Sequence, residues 1–418
     1  MKKYLYLLRK KQKTDMNRPR YDILDGLRGV AAVMVLLYHV FNDAKSFFVW
    51  PAPVYEFYHG FLGVDFFFIL SGFVMGYAYD ESLTPVPNTV ESGDSLPSVG
   101  PQPHSVATLK TPFAPGRGGT LTFWGFVKRR LIRLHPMVVM GVILGLIAFL
   151  IQGCTKWDGT EVSLQAVMWA TLLGLFLIPS PLGMDVRGNT EAFPLNGPHW
   201  SLFFEYIGSL LYGILLHRLP TKWLRVWVAC GIFSIAAYAL LQEGGGVAYG
   251  WSSEPMNLLG GALRMLYAYP MGLLMARMFR QRKPEPLQGP VFLFCSLALV
   301  VLLGLPLFGG KESETIYQLV CLFSFFPGII WIGARGMVSG RQQRAVSFLG
   351  RLSYPLYATH FPLIYLYITW VARDDAPYQG YIHPWLLVII TLVASVLIAT
   401  LCLLFYDEPL RKRLSRKK

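Results

Sequence analysis

The chain has 418 residues, of which 54% are apolar and only 15% are charged, whereas an ordinary soluble domain carries about 25% charged residues. With a mean hydropathy of +0.43, such a chain cannot cover its surface with polar groups, so the composition predicts an integral membrane protein. Collagen-like, disordered and disulfide-scaffold classes are excluded.

The net charge of +14 is concentrated at the two ends of the chain. Residues 1–20 hold eight basic residues against Asp15, and residues 410–418 hold six basic residues. A nucleic-acid-binding protein carries such charge on a folded face, so we expect no nucleic-acid partner. Basic segments that flank an apolar body are instead typical of cytoplasmic ends under the positive-inside rule.

Eleven apolar stretches are long enough to be considered as membrane segments. They cover approximately residues 26–44, 62–79, 134–152, 164–180, 200–216, 223–241, 257–278, 290–308, 316–333, 353–371 and 385–406. The five cysteines form no CxxC pair and lie mostly within these stretches. We interpret them as buried apolar residues and predict no metal site.

The parity of the crossings identifies one stretch that does not span the membrane. Eleven crossings would place the ends on opposite sides, whereas two basic tails require an even number. Basic residues before 134 and after 216 indicate that both loops are cytoplasmic, so the stretch 164–180 must begin and end outside. We predict an all-α membrane protein with ten transmembrane helices, both termini in the cytoplasm and a re-entrant or interfacial segment over 164–180.

One internal region does not look like a membrane segment. Residues 80–122 contain seven prolines with serine, threonine and glycine between them, which predicts a flexible cytoplasmic loop. The predicted organisation is therefore a basic cytoplasmic tail over 1–20, a membrane domain over 21–408 and a second basic cytoplasmic tail over 409–418.

Ionisable residues inside a membrane are costly and usually functional. Arg28 and His39 lie on the first span, eleven residues apart, which on a helix puts them on one side about 16 Å apart. Because this span enters from the cytoplasm, Arg28 lies near the inner edge and could meet a phosphorylated donor, with the chemistry at His39. The alternative is a snorkelling arginine and a hydrogen-bonded structural histidine.

Two carboxylates are predicted in the outer half of the membrane. Asp65 lies near the start of an outside-to-inside span, and Glu205 lies about one and a half turns below the outer end of its span. A carboxylate beside an imidazole fixes its tautomer and raises its basicity, so we expect one of them to orient His39. The alternative is that both make helix-packing hydrogen bonds.

A basic run precedes the third apolar stretch. Within it, Arg129, Arg130 and Arg133 share one helical face by the i, i+3, i+4 rule. Such a cluster suits a polyphosphate, because arginine is always charged and binds phosphate through two hydrogen bonds. The alternative is a topology signal that also anchors the helix at lipid head groups.

Five motifs follow one another along residues 21–408. They are DGLRG at 25–29, GVDFFFILSGF at 63–73, KRRLIRLHP at 128–136, WSLFFE at 200–205 and SYPLYATHFP at 353–362. In these motifs the sequence resembles the membrane acyltransferase-3 family. The resemblance implies that the family's functional residues of the first span fall on Arg28 and His39. It also implies that the family's basic motif falls on Arg129, Arg130 and Arg133, and its late-span histidine on His360.

The resemblance implies an O-acyltransferase that uses acyl-CoA, most often acetyl-CoA, and acts on hydroxyls of glycans or some small molecules. We expect His39 to take the proton of the acceptor hydroxyl, with Asp65 or Glu205 orienting it and His360 as the next candidate for the base. The protein is expected to be a multi-pass protein of the bacterial inner membrane. The alternative is a proton-coupled transporter, since intramembrane histidines and carboxylates also build proton relays; binding of coenzyme A discriminates between the two.

Overall fold

The computed structural model describes residues 21–42, 58–83, 121–306, 309–372 and 384–416. Within these ranges the chain is a bundle of helices, and β pairing is limited to three isolated bridges. The predicted tail over 1–20 and most of the predicted loop over 80–122 lie outside the described residues.

The helices are numbered here in chain order. The first six are α1 (Asp22–Asn42), α2 (Gly63–Leu83), α3 (Phe123–Ile151), α4 (Leu164–Leu175), α5 (His199–Ile214) and α6 (Thr221–Leu241). The next five are α7 (Pro255–Arg282), α8 (Val291–Gly304), α9 (Lys311–Arg335), α10 (Gly340–Thr359) and α11 (Phe361–Ala372). The last, α12, runs as Pro384–Leu401, a π-helical turn over Cys402–Asp407, and Glu408–Arg416.

Seven of these helices are long and apolar enough to cross a membrane: α1, α2, α3, α6, α7, α9 and α12. The predicted all-helical architecture is therefore confirmed for the described residues, while ten crossings and cytoplasmic termini stay predictions. Helix α4 has only 12 residues, which corresponds to a length of about 18 Å against a hydrocarbon core of about 30 Å. Helices α8 and α11, in stretches predicted to cross, have only 14 and 12 residues, so the prediction that 164–180 does not cross stays a prediction.

The predicted stretch 353–371 is divided into two helices at His360. Pro362 lacks an N–H group and cannot extend the hydrogen-bond ladder of α10, but proline is well suited to the first turn of a new helix. Helix α10 therefore ends at Thr359 and α11 begins at Phe361. This break places the His360 ring at a helix junction inside the bundle, where the residue is only 1% exposed.

Helices α2 and α7 cross with their backbones in close contact. A Cβ atom on Gly72 would lie 2.0 Å from the carbonyl oxygen of Tyr269, and one on Gly272 would lie 1.9 Å from that of Ile69. Any larger side chain at either position would overlap the opposing backbone. The two glycines therefore bring the helix backbones into direct contact, as small residues do at helix interfaces in membranes.

A buried arginine helps to tie the irregular segment between α4 and α5 to the bundle. The Arg187 guanidinium donates to Gln152 Oε1 at 2.8 Å and to the Pro194 carbonyl at 2.6 Å, and it lies 3.4 Å from the centre of the Tyr365 ring. These contacts join the end of α3 to α11. They also fix the segment that leads into α5, where the WSLFFE motif begins.

Candidate active site

A cavity of about 220 Å³ is lined by five arginines and three carboxylates. The arginines come from four helices: Arg28 from α1, Arg130 and Arg133 from α3, Arg351 from α10 and Arg411 from α12. We call this space the arginine cavity. Three of the four arginines that the sequence predicted as donor-binding residues are brought together here, although they come from two different helices.

Each carboxylate of the arginine cavity lies against an arginine. Arg130 donates to Glu205 Oε1 at 2.9 Å, and Ser71 donates to the same oxygen at 3.1 Å. Arg28 lies 3.5 Å from Asp25 Oδ1, and Arg411 donates to Asp407 Oδ2. The π-helical turn of α12 ends at Asp407 and carries this buried carboxylate to the cavity wall.

Arg133 differs from the other arginines of the cavity, because it has no hydrogen bond or ion pair in the part of the chain that the structure describes. Its side chain is half-buried and lines the cavity. Arg129, the fourth predicted donor-binding residue, is half-buried on the same helix but does not line the cavity. The predicted basic cluster is therefore divided by the fold.

Asp65 lies in a different environment from the one predicted. It is fully buried, and its two oxygens accept from Arg264 of α7 at 2.9 and 2.6 Å. Arg264 also donates to the carbonyl of Tyr249 at 2.7 Å, and its guanidinium lies 5.0 Å from the Trp200 ring. The carboxylate is thus one half of a buried ion pair that joins α2 to α7.

The two predicted histidines do come together. The ring centres of His39 on α1 and His360 at the α10–α11 junction are 5.4 Å apart, and we call them the histidine pair. Nδ1 of His360 lies 3.1 and 2.9 Å from the carbonyl oxygens of Leu356 and Tyr357. Because carbonyls only accept, Nδ1 carries the proton in these bonds and Nε2 has a free lone pair.

The arginine cavity and the histidine pair adjoin at Tyr357. This tyrosine lines the cavity, and its ring centre is 6.0 Å from that of His360. Its hydroxyl is 2.6 Å from Ser201 Oγ, which also lines the cavity. Along α1, Arg28 therefore lies in the arginine cavity and His39 lies in the neighbouring histidine pair.

The expectation that Asp65 or Glu205 orients His39 differs from the pairing in the structure. Arg264 holds Asp65 and Arg130 holds Glu205, because a guanidinium offers a carboxylate a fully charged, forked donor that a neutral imidazole cannot match. Sequence reasoning missed Arg264 as a partner, although an arginine within the apolar stretch 257–278 was a signal for it. It also missed Tyr357 and Asp407, for which the pattern held no comparable signal.

Comparison with known proteins agrees with the motifs. The family model described as "Acyltransferase domain" (Acyl_transf_3) matches residues 21–404. Among curated proteins, the chain is 29% identical to "Protein 2 in picA locus" of Rhizobium radiobacter, over 46% of this chain and 81% of that protein. No solved structure matches the chain at a significant level.

Two relatives match over nearly the whole chain. A protein of Komagataeibacter xylinus provisionally named membrane-bound transacylase BcsY is 25% identical over 91% of this chain and 82% of its own length. The peptidoglycan O-acetyltransferase OatA of Listeria monocytogenes is 24% identical over 96% of this chain. The match covers 57% of the length of OatA.

Proposed function

The chain belongs to the acyltransferase-3 family, and we propose that it moves an acyl group, most simply acetyl, from acyl-CoA to a hydroxyl of a carbohydrate-type acceptor. The donor would bind from the cytoplasm, and the protein would be a multi-pass protein of the bacterial inner membrane. The names of the relatives support transfer to a glycan hydroxyl, since OatA is named a peptidoglycan O-acetyltransferase. The family match favours this enzyme over a proton-coupled transporter.

The observation that carries the proposal is the arginine cavity. Five arginines against three carboxylates leave an excess of positive charge, and Arg133 makes no hydrogen bond or ion pair within the described residues. Coenzyme A carries a 3′-phosphate and a pyrophosphate, the groups that guanidinium forks bind best. We therefore assign the phosphates to Arg28, Arg130 and Arg133 at this cavity, with Arg129 as an outer contact.

The histidine pair would supply the proton transfer. A histidine of the pair takes the proton of the acceptor hydroxyl as the oxygen attacks the thioester carbon. The C–S bond then breaks, and the same proton passes to the thiolate, so that the products are the ester and free coenzyme A. The free lone pair on His360 Nε2 supports a base at this point, and His39 lies next to it, 5.4 Å between ring centres.

Asp65 and Glu205 contribute through the arginines that they hold. Glu205 keeps the Arg130 guanidinium directed along the cavity wall, and the Asp65–Arg264 pair fixes α2 against α7 beside Trp200. In this proposal both carboxylates are positioning residues. We expect no metal in the reaction, since the charge of the donor is met by guanidinium groups.

The test uses the full chain in lipid nanodiscs with radiolabelled acetyl-CoA and chitotetraose as a hydroxyl probe. We expect label to move to the sugar and coenzyme A to bind, and we expect both to weaken in Arg133→Gln. The matched control is Lys128→Gln, an exposed cation on the same helix outside the cavity. Mass spectrometry of cell-surface glycans with and without the gene then identifies the acceptor; a chain that neither binds coenzyme A nor alters any glycan contradicts the proposal.

A further inference from the structure

His199, the first residue of α5, is a buried histidine that lies near the Ala358 carbonyl and the Phe193 ring. The residue is 1% exposed, and neither Nδ1 nor Nε2 has a hydrogen-bond partner in the part of the chain that the structure describes. A neutral imidazole carries one donor and one acceptor, and burying both unpaired costs more free energy than burying an apolar side chain of similar size. Such a ring points to a ligand that offers both kinds of hydrogen bond.

Asn196 lies one turn before His199 and shares its surroundings. Its amide nitrogen donates to the carbonyl of Ala358 at 2.8 Å, while its Oδ1 is buried without a partner among the described residues. Both side chains line a small cavity of about 10 Å³ between α3, α4 and α5. That volume suits one group of the size of a water molecule.

Gly141 of α3 leaves room for these polar atoms to converge. A Cβ atom at this position would lie 2.4 Å from the Ala358 oxygen, 2.7 Å from Asn196 Nδ2 and 2.7 Å from His199 Nε2. Three polar atoms from α10, α5 and the segment before α5 thus lie around one point. These atoms can pack against the α3 backbone because residue 141 has no side chain.

This polar cluster is adjacent to the histidine pair. His360 follows Ala358 by two residues, and its Nε2 is also buried without a partner among the described residues. The unpaired atoms are therefore two acceptors, Asn196 Oδ1 and His360 Nε2, and an imidazole that can donate. A hydroxyl group is their complement, since its oxygen accepts one hydrogen bond while its proton is donated to another atom.

We propose that His199 and Asn196 bind the hydroxyl group on which the histidine pair acts. The hydroxyl oxygen accepts from the His199 ring N–H. Its proton passes to a histidine of the pair when the oxygen attacks the thioester carbon, and that proton leaves on the coenzyme A thiolate. The hydroxyl belongs either to the acceptor or to a water molecule. The inference rests on the proposed acyl transfer and adds a third histidine to it.

The test is His199→Leu, which removes both nitrogens and keeps a similar volume. We expect transfer of label from acetyl-CoA to chitotetraose to fall about tenfold or more, the loss of one hydrogen bond to the reacting group. The melting temperature should stay the same or rise, because an unpaired buried imidazole is replaced by an apolar side chain. The matched control is His217→Leu, since His217 is also buried but bonds the Tyr212 carbonyl through Nδ1; it should lose stability and keep its turnover.

A second arm separates the two sources of the hydroxyl. Hydrolysis of acetyl-CoA is measured without any sugar. If the bound hydroxyl is that of the acceptor, His199→Leu raises KM for chitotetraose and leaves hydrolysis unchanged. If it is water, hydrolysis falls and the KM for chitotetraose is unchanged. Asn196→Leu should repeat whichever result is obtained.

Two results overturn the inference. One is a His199→Leu variant that keeps transfer and hydrolysis within twofold of the wild type. The other is a melting temperature several degrees lower, which assigns the ring to structure alone. If the wild type itself neither transfers nor hydrolyses the acyl group, the proposed function fails. The melting temperature of His199→Leu then still shows whether the His199 ring stabilises the fold.

Discussion

The polar groups of the arginine cavity and those around His199 and His360 differ in whether they have partners. Every carboxylate of the cavity lies against an arginine, and the charges that remain are positive. In the core around His199 and His360, ring nitrogens are buried without partners among the described residues. Fixed charge suits binding of an anionic group, whereas an available lone pair suits proton transfer. The two regions can therefore be separated by mutation.

The largest effect is expected at His39. His39→Ala should lower acyl transfer by about 10²–10⁴-fold, the usual contribution of a positioned acid or base, while coenzyme A still binds because the arginine cavity is unchanged. Turnover and coenzyme A binding are measured on the same nanodisc sample. A variant that keeps near-normal turnover, or loses only coenzyme A affinity, would assign the base to His360 instead.

The next effect is on stability and concerns Asp65. Asp65→Ala leaves the Arg264 guanidinium buried without its counter-charge, which costs about 3–5 kcal/mol, and thermal unfolding in detergent measures it. The contrast is Glu408→Gln, which breaks a pair whose Arg351 side chain is 45% exposed and should cost about 1 kcal/mol or less. Restored stability in the double variant Asp65→Leu/Arg264→Met would show that the loss comes from the unpaired charge of Arg264. Equal losses in Asp65→Ala and Glu408→Gln would contradict the buried character of the Asp65–Arg264 pair.

A smaller effect is expected for the donor-binding arginines. Arg133→Gln and Arg28→Ala should each raise KM for acetyl-CoA about tenfold, the loss of one charge-assisted hydrogen bond, and leave kcat nearly unchanged. Added salt should weaken donor binding in the wild type and have less influence in either variant, because screening acts on the same charge. A fall in kcat with an unchanged KM would move these arginines from the donor site to the chemistry.

The smallest effect on activity is expected from two substitutions that test on which side of the membrane the ends of α4 lie. Single cysteines at Asp158 and Leu182, both exposed and on either side of α4, should react with an impermeant thiol reagent added from outside in a cysteine-free background. The change should leave transfer intact. Labelling from opposite sides would show that the segment 164–180 crosses the membrane, and the predicted count of ten crossings would then be wrong.

The sequence could predict those parts of the site that lie along one helix. Arg28 and His39 were found from their spacing, and Arg130 and Arg133 from a basic run. The sequence could not show that Asp65 pairs with Arg264, because the two residues are 199 positions apart. The hydropathy pattern does not indicate which residues contact each other. His199 was missed for a related reason, since its unusual feature is the lack of contacts in a buried place and appears only in three dimensions.

The same division applies to the membrane segments. Long apolar helices such as α1 and α3 were predicted because their composition alone distinguishes them. The break at His360 was not predicted, since prolines are tolerated within membrane helices when neighbouring groups satisfy the freed backbone. Whether Pro362 bends a helix or starts a new one depends on what surrounds it.

The glycine crossing of α2 and α7 has a mechanical consequence. With a Cβ position on Gly72 only 2.0 Å from the Tyr269 oxygen, the two backbones have no side-chain layer between them that could shear. The Asp65–Arg264 pair clamps the same two helices at another level. We therefore expect helices α2 and α7 to behave as one rigid unit within the bundle. If the arginine cavity widens when a donor binds, we expect the movement in α1, α3, α5, α10 and α12, with α2, held by α7, as the fixed part of its wall.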